Sequence, residues 1–107
     1  MSHKNFSIMV KHIVLFQLKK GLDPVVRDNI MNDFKNKIEQ LPEFIDIINS
    51  IYVGFNINPN ETWDICLESE FDTLDDVSTY STDPRHVAVA RILKPYLIGR
   101  SCVDFEI

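Results

Sequence analysis

The chain has 107 residues, of which 45% are hydrophobic and 25% are charged, a composition typical of a single globular domain. A formal net charge of −5 argues against nucleic-acid binding, which requires a basic surface, and no Lys/Arg cluster suits a membrane surface. No apolar run approaches the roughly 18 residues of a membrane span, and no signal-peptide pattern is present, so we expect a cytoplasmic protein. Cys66 and Cys102 are not spaced as a CxxC pair, and we expect both to be reduced thiols.

The first predicted strand shows that the sheet is covered on both faces. Residues 1–8 are polar and are predicted to be a loose leader, so that the domain spans residues 9–107. From Met9 to Leu18, apolar side chains occupy both alternating positions: His12, Val14, Phe16 and Leu18 on one face, Ile13 and Leu15 on the other. One small domain has helices enough for only one of these faces. We therefore predict a homodimer whose subunits join through the helix-free sheet face.

A helix and two strands are predicted next. Gly21 to Pro24 ends the first strand and caps a helix, which Leu41-Pro42 ends. The apolar stripe of this helix comprises Val26, Ile30, Phe34, Ile38 and Leu41. Ile47 to Phe55 is predicted to be a strand with a bulge or bend at Gly54, and residues 56–61 form a turn. Trp63 to Phe71 is the third strand; its residues expected to face the helices are Trp63, Ile65, Leu67, Ser69 and Phe71.

Two consecutive helices are predicted between Thr73 and Leu97. Thr73 is a helix N-cap with a carboxylate three residues on, and the helix breaks at Ser81-Thr82. Asp83 then caps a second helix that begins with Pro84, so His86 falls at its third position. At 100° per residue, one narrow stripe contains His86, Ala90, Leu93 and Leu97. The imidazole is therefore expected to head an apolar face and to point inward, with Tyr80 directed at the same space.

The remaining elements complete the fold class. Pro95 requires the second helix to kink or end near Lys94. Residues 101–107 alternate as a last strand. The order βαββαβ predicts an α+β, ferredoxin-like domain with one antiparallel sheet and helices on one face.

Tyr80 and His86 suit carbonyl chemistry. A phenol donates a hydrogen bond to a carbonyl oxygen, while a neutral imidazole removes a nearby proton. The helix dipole and burial both favour the neutral imidazole, whereas Asp83 opposes them. The alternative is that His86 is a hydrogen-bonded core residue with no catalytic role.

Metals and organic cofactors are not expected. His12 and His86 are predicted to face one cavity, but the sequence reveals no third ligand beside them. The three glycines stand alone, so there is no phosphate-binding loop.

The motif Tyr-x-x-Asp-Pro-x-His at residues 80–86, together with Val10-Lys-His-Ile-Val-Leu-Phe16, resembles the stress-responsive dimeric α/β-barrel (Dabb) family. The likeness runs from about residue 9 to the end of the chain. It implies a dimer whose two sheets pair into a barrel. The site resembles that of the family's plant polyketide cyclases, whose catalytic pair falls on Tyr80 and His86 and whose pocket histidine falls on His12. Two positions depart from that pattern: Phe34 occupies the position of a pocket tyrosine, and Asp83 occupies the position of a second histidine.

The sequence therefore predicts a small apolar pocket between sheet and helices. Its polar groups are His12, Tyr80 and His86, and its wall is predicted to include Val14, Phe16, Phe34, Leu67, Ser69 and Leu93. One interpretation is a stress-responsive domain that binds a small apolar or carbonyl ligand and has no assigned reaction. The alternative is a cofactor-free cyclase, lyase or isomerase acting on a small carbonyl compound through the Tyr–His pair.

Overall fold

The computed structural model describes residues 8–107, so the leader predicted for residues 1–8 lies, apart from Ile8, outside the described residues. The strands are β1 (Val10–Leu18), β2 (Ser50–Phe55), β3 (Ile65–Phe71) and β4 (Leu97–Glu106). The helices are α1 (Pro24–Ile38), α2 (Leu74–Thr82) and α3 (Pro84–Ala90), with short 3-10 turns at Leu41–Glu43 and Lys94–Tyr96. The predicted ferredoxin-like order, with a split second helical segment, is confirmed.

One antiparallel sheet organises the molecule, in the order β2-β3-β1-β4. Alternate residues of β1, from Val10 to Leu18, are buried beneath the helices, and those between them are partly exposed. β1 is paired at both of its edges, with β3 and with β4. On the helix-free face, Ile13 pairs with Val103 and Lys11 pairs with Phe105; these two β4 side chains are 54% and 43% exposed.

Side-chain caps begin all three helices. Asp23 accepts a hydrogen bond from the Val25 backbone N–H, Thr73 accepts one from Asp76, and Asp83 accepts one from Arg85. Each cap pairs a backbone N–H that lacks a partner within its helix, and two of them precede a proline at the first helical position. His86 therefore lies at the third position of α3, as predicted.

The apolar stripe of α1 differs from the prediction at its start. Val26 is 40% exposed, whereas Met31, Phe34 and Ile38 are buried. A spacing of four residues drifts by about 40° at each step, so Val26 has turned away from the face that Phe34 and Ile38 share. Met31 replaces it in the core.

The strands β2 and β3 both begin later than predicted. β2 begins at Ser50 because Ile45 and Ile48 pack into the core from a non-strand segment. Gly54 pairs regularly with Cys66, so the predicted bulge there is wrong; the irregularity lies between β1 and β4 at Gln17/Leu18.

Trp63 precedes β3 and does not follow its alternation. Its ring lies 3.5 Å from where a Cβ at Gly99 would be, next to Gln17. Gln17 and Gly99 are paired on the helix-free side of the sheet, so the predicted helix-facing position of Trp63 is wrong.

The helix α3 ends at Ala90, about one turn before the predicted position near Lys94, and Pro95 lies in the 3-10 turn that follows. Leu93 and Leu97 therefore lie beyond the helix, yet they still face the same interior space as His86. Among residues 8–107, no helix combines the length and the apolar character needed to cross a membrane.

Candidate functional site

A cavity of about 170 Å³ lies between the sheet, α1 and the segment that runs from α3 to β4. Most of its wall is apolar and consists of Val14, Phe16, Phe34, Ile38, Leu67, Ala90, Leu93 and Leu97. The other lining residues are His12, Ser81, His86, Lys94 and Arg100. Seven of the residues predicted from the sequence line it: His12, Val14, Phe16, Phe34, Leu67, His86 and Leu93. Ser69 and Tyr80 do not.

His86 is partly buried and oriented by the junction between α2 and α3. Its Nδ1 lies 3.0 Å from the backbone oxygen of Ser81. A carbonyl oxygen only accepts hydrogen bonds, so Nδ1 carries the proton and donates it, which leaves Nε2 as an unprotonated acceptor. Burial lowers the pKa of His86; the hydrogen bond to Ser81 and the charge of Asp83 oppose this shift, whereas His12 and Arg100 add to it. The arrangement favours a neutral imidazole.

Tyr80 supports the His86 ring from the core side. The two ring centroids are 4.3 Å apart, and the Tyr80 ring lies 5.1 Å from that of Phe71. The Tyr80 side chain is 1% exposed, and within the described residues its hydroxyl has no hydrogen-bond partner. Burial raises the pKa of Tyr80, so the phenol stays protonated and its polar role is that of a hydrogen-bond donor.

His12, on β1, is held by a residue of the neighbouring strand β4. The side chain is 4% exposed, and its Nδ1 lies 2.5 Å from Oδ1 of Asp104, the residue paired with it on β4. Cys102 lies two residues before Asp104 on β4, and its Sγ is 3.6 Å from the same Nδ1. The sequence analysis missed Cys102 and Asp104, although their spacing of two residues places them on one face of a strand.

Ser69 stabilises the pairing of two strands and does not line the cavity. It is fully buried, and its hydroxyl donates a hydrogen bond of 3.4 Å to the backbone oxygen of His12. The bond links β3 to the backbone of β1 at His12. Ser69 therefore fixes the strand that carries His12 and does not contact the cavity.

The charged side chains that line the cavity are of one sign. Among the described residues no carboxylate lines it, whereas Lys94 and Arg100 both do. Both basic residues are exposed at the solvent side, and the chain as a whole carries a net charge of −5. The opening is thus a basic spot on an acidic protein, and it favours ligands with acceptor oxygens.

The sequence profile of the stress responsive A/B barrel domain family matches residues 10–107 of this chain. Among solved structures, a dimeric protein of unknown function with a ferredoxin-like fold from Bacteroides fragilis shares 52% sequence identity. The match covers 92% of this chain and 96% of that one, with a TM-score of 0.90. No curated protein matches the chain.

More distant relatives share the fold. A dimeric ferredoxin-like protein of unknown function from Thermobifida fusca is 22% identical, covers 94% of this chain and 92% of its own, and has a TM-score of 0.76. A hydroxynitrile lyase from Passiflora edulis is 19% identical over 92% of this chain and 93% of its own, with a TM-score of 0.71. At these identities the likeness extends to the fold alone.

Proposed function

Because the chain belongs to the stress responsive A/B barrel domain family, we propose that it is a homodimer whose cavity binds one small, largely apolar molecule bearing a carbonyl or carboxylate oxygen. No reaction is assigned to it. The observation that carries the proposal is the cavity itself, whose lining among the described residues combines an apolar wall with two cationic side chains, Lys94 and Arg100, and no carboxylate.

The homodimer is supported by two observations. The Bacteroides fragilis relative, 52% identical to this chain, is described as dimeric. The helix-free face of the sheet carries Ile13, Leu15 and Val103, which water would otherwise contact. Contact between two such faces buries the apolar side chains of both copies at once, because a two-fold interface is self-complementary.

The size of the cavity limits the ligand to about one ring. Its volume of about 170 Å³ is close to that of an apolar protein cavity of about 150 Å³ that binds benzene, and is below the range of about 300–1,000 Å³ for drug-sized ligands. Lys94 and Arg100 supply hydrogen-bond donors at its polar side. A ring with one carbonyl or carboxylate group fits both properties.

Binding can be tested by ligand-observed NMR with benzaldehyde, benzoate and toluene as probes. We expect benzaldehyde or benzoate to bind more tightly than toluene, which has the ring but no oxygen. Ala90→Leu places a larger side chain in the cavity and should abolish binding. Ala88→Leu is the matched control, because Ala88 is exposed on the same helix and should leave binding unchanged. Equal binding by both variants would overturn the proposed site.

A second candidate function is favoured by the orientation of His86. With Nδ1 committed to Ser81, Nε2 is the group able to accept a proton, and the lowered pKa keeps it unprotonated at neutral pH. A base of this kind beside an apolar cavity suits a cofactor-free cyclase, lyase or isomerase that removes a proton next to a carbonyl group. The pair Tyr80 and His86 is also similar to the catalytic pair of olivetolic acid cyclase, a plant polyketide cyclase of this family.

In this second candidate, Tyr80 donates a hydrogen bond to the carbonyl oxygen as the enolate forms. Its hydroxyl does not line the cavity wall, so substrate binding must bring the two together. Lys94 and Arg100 would add positive charge near the developing enolate oxygen.

Proton exchange tests this chemistry without knowledge of the natural substrate. In D₂O, the protein should accelerate deuterium incorporation next to the carbonyl of acetophenone or cyclohexanone, as followed by ¹H NMR. His86→Ala should abolish the acceleration, and Tyr80→Phe should lower it by roughly 10²–10⁴-fold. Exchange that is equally fast with the wild type and His86→Ala would exclude His86 as the base.

The expected cytoplasmic location stays a prediction.

A further inference from the structure

Three side chains of different chemical type converge where β1 pairs with β4. They are His12, Cys102 and Asp104, and one ligand atom from each lies within 4.8 Å of the other two. The pairing of His12 with Asp104 brings the imidazole and the carboxylate together, and the strand period of two brings in Cys102 on the same face. The convergence is thus a property of the strand register.

The distances suit a cation held between the three groups. Sγ of Cys102 lies 3.6 Å from Nδ1 of His12 and 3.8 Å from Oδ2 of Asp104. Around a tetrahedral zinc ion, a sulfur and a nitrogen or oxygen ligand atom lie about 3.5–3.6 Å apart. The shorter contact, Nδ1 to Oδ1 at 2.5 Å, is a hydrogen bond. A bound cation would replace this proton and that of the Cys102 thiol, and both protons would leave to solvent.

Burial differs among the three groups in a way that suits an open metal site. His12 is 4% exposed and fixed in the core, whereas Cys102 and Asp104 lie on the exposed edge strand. The last two border a surface groove shared with Asp72, Thr73 and Leu74 at the start of α2. A cation held by these three side chains would keep a coordination position directed to solvent, as in catalytic rather than structural sites.

We propose that His12, Cys102 and Asp104 bind one divalent cation of the zinc class per chain. A set of one nitrogen, one sulfur and one oxygen ligand selects such borderline cations, because Mg²⁺ and Ca²⁺ prefer oxygen ligands only. His12 also lines the cavity, but Cys102 and Asp104 do not, so variants of these two residues test the metal site separately from the cavity ligand.

Cobalt(II) tests the proposal, because a thiolate bound to Co²⁺ gives an intense near-ultraviolet charge-transfer band. The untagged protein, kept reduced with a non-thiol reductant, is titrated with CoCl₂. We expect the band to saturate at one Co²⁺ per chain and to disappear when excess Zn²⁺ displaces the cobalt. Cys102→Ser should abolish the band, and Asp104→Asn should weaken Co²⁺ binding by at least about tenfold. Both residues lie on the exposed strand, so neither substitution should prevent folding.

Cys66→Ser is the matched control. Cys66 is the other free cysteine and lies on the helix-free face of β3, so its removal should leave the band unchanged. Zn²⁺ should also raise the thermal unfolding midpoint of the wild type and of Cys66→Ser, but not of Cys102→Ser. The absence of any band with the reduced wild type would overturn the proposal. So would a band that persists in Cys102→Ser.

Discussion

Two histidines border the same cavity, but different parts of the chain hold them in place. His86 is oriented by the backbone oxygen of Ser81, five residues earlier, within the junction of α2 and α3. His12 is oriented by Asp104, which is 92 residues away along the chain and lies on the neighbouring strand. The helical junction is a local structure, whereas the strand pair exists only when distant parts of the chain have assembled.

Each histidine therefore depends on a different part of the fold for its orientation. The position of His86 follows from the Asp83 cap and the break between two helices, so it should tolerate changes in β4. The position of His12 follows from the register of β1 and β4, so it should tolerate changes in the helix caps. Substitutions can therefore disturb the two histidines together or one at a time.

Tyr80→Ala should produce the largest effect, because Tyr80 contacts both histidines. Its ring lies 4.3 Å from the His86 ring and 6.4 Å from the His12 ring. Removal of a fully buried aromatic side chain should lower the free energy of unfolding by about 3–5 kcal/mol, as measured by urea denaturation. Both imidazole NMR signals should shift.

Phe44→Ala is the control for that substitution. Phe44 is 60% exposed and follows the 3-10 turn Leu41–Glu43, outside the sheet, so the loss of unfolding free energy should stay below about 1 kcal/mol. A loss of similar size for both substitutions would contradict the central role assigned to Tyr80.

Asp83→Ala should disturb one histidine only. Loss of this N-cap should cost about 1 kcal/mol of unfolding free energy and shift the His86 signal, while the His12 signal stays in place. Asp23→Ala removes an equivalent Asp–Pro cap from α1 at similar cost, and we expect it to leave His86 unaffected. A shift of His12 on Asp83→Ala would show that the two histidines are coupled.

A smaller effect is expected from pH. Burial lowers the pKa of His86, so the folded state binds a proton less readily than the unfolded state does. The stability that depends on neutral His86 is therefore present above the unfolded pKa of about 6.5 and is lost as pH falls toward the folded pKa. Urea denaturation should show lower stability at pH 5 than at pH 8, and His86→Gln should reduce that difference. An NMR titration midpoint above 6.5 would contradict the prediction.

Tyr80→Phe should have the smallest effect on stability. The hydroxyl is buried and has no hydrogen-bond partner within the described residues, so its removal forfeits no bond seen there. We expect the free energy of unfolding to stay within about 0.5 kcal/mol of the wild type or to rise. A loss above about 1 kcal/mol would show that the hydroxyl is hydrogen-bonded in solution.

The helical junction was predictable because its determinants are close together in sequence. Asp83-Pro84 specifies a helix start, and the spacing from His86 to Leu97 specifies which side chains face inward, even though α3 ends early. The order of strands and helices was equally evident from local alternation.

The strand-pair site was not predictable in the same way. Cys102 and Asp104 alternate correctly within β4, but nothing near them in sequence shows that Asp104 pairs with His12. Lys94 and Arg100 were missed for a related reason, because they reach the cavity from a turn and from β4. The prediction for Trp63 was wrong for a different reason. The alternation of β3 was extended to a residue that precedes the strand, and this assigned Trp63 to the helix-facing side of the sheet.

The central position of β1 also affects how the chain folds during synthesis. β1 pairs with both β3 and β4, and residues 19–96 separate it from β4. At about 5–20 residues per second, a ribosome needs roughly 4–16 s to add that segment. During this interval one edge of β1 has no partner strand, and its backbone N–H and C=O groups are open to pairing with another nascent chain. The chain elements that orient His12 thus meet last, so a chaperone that shields β1 would protect this side of the cavity in particular.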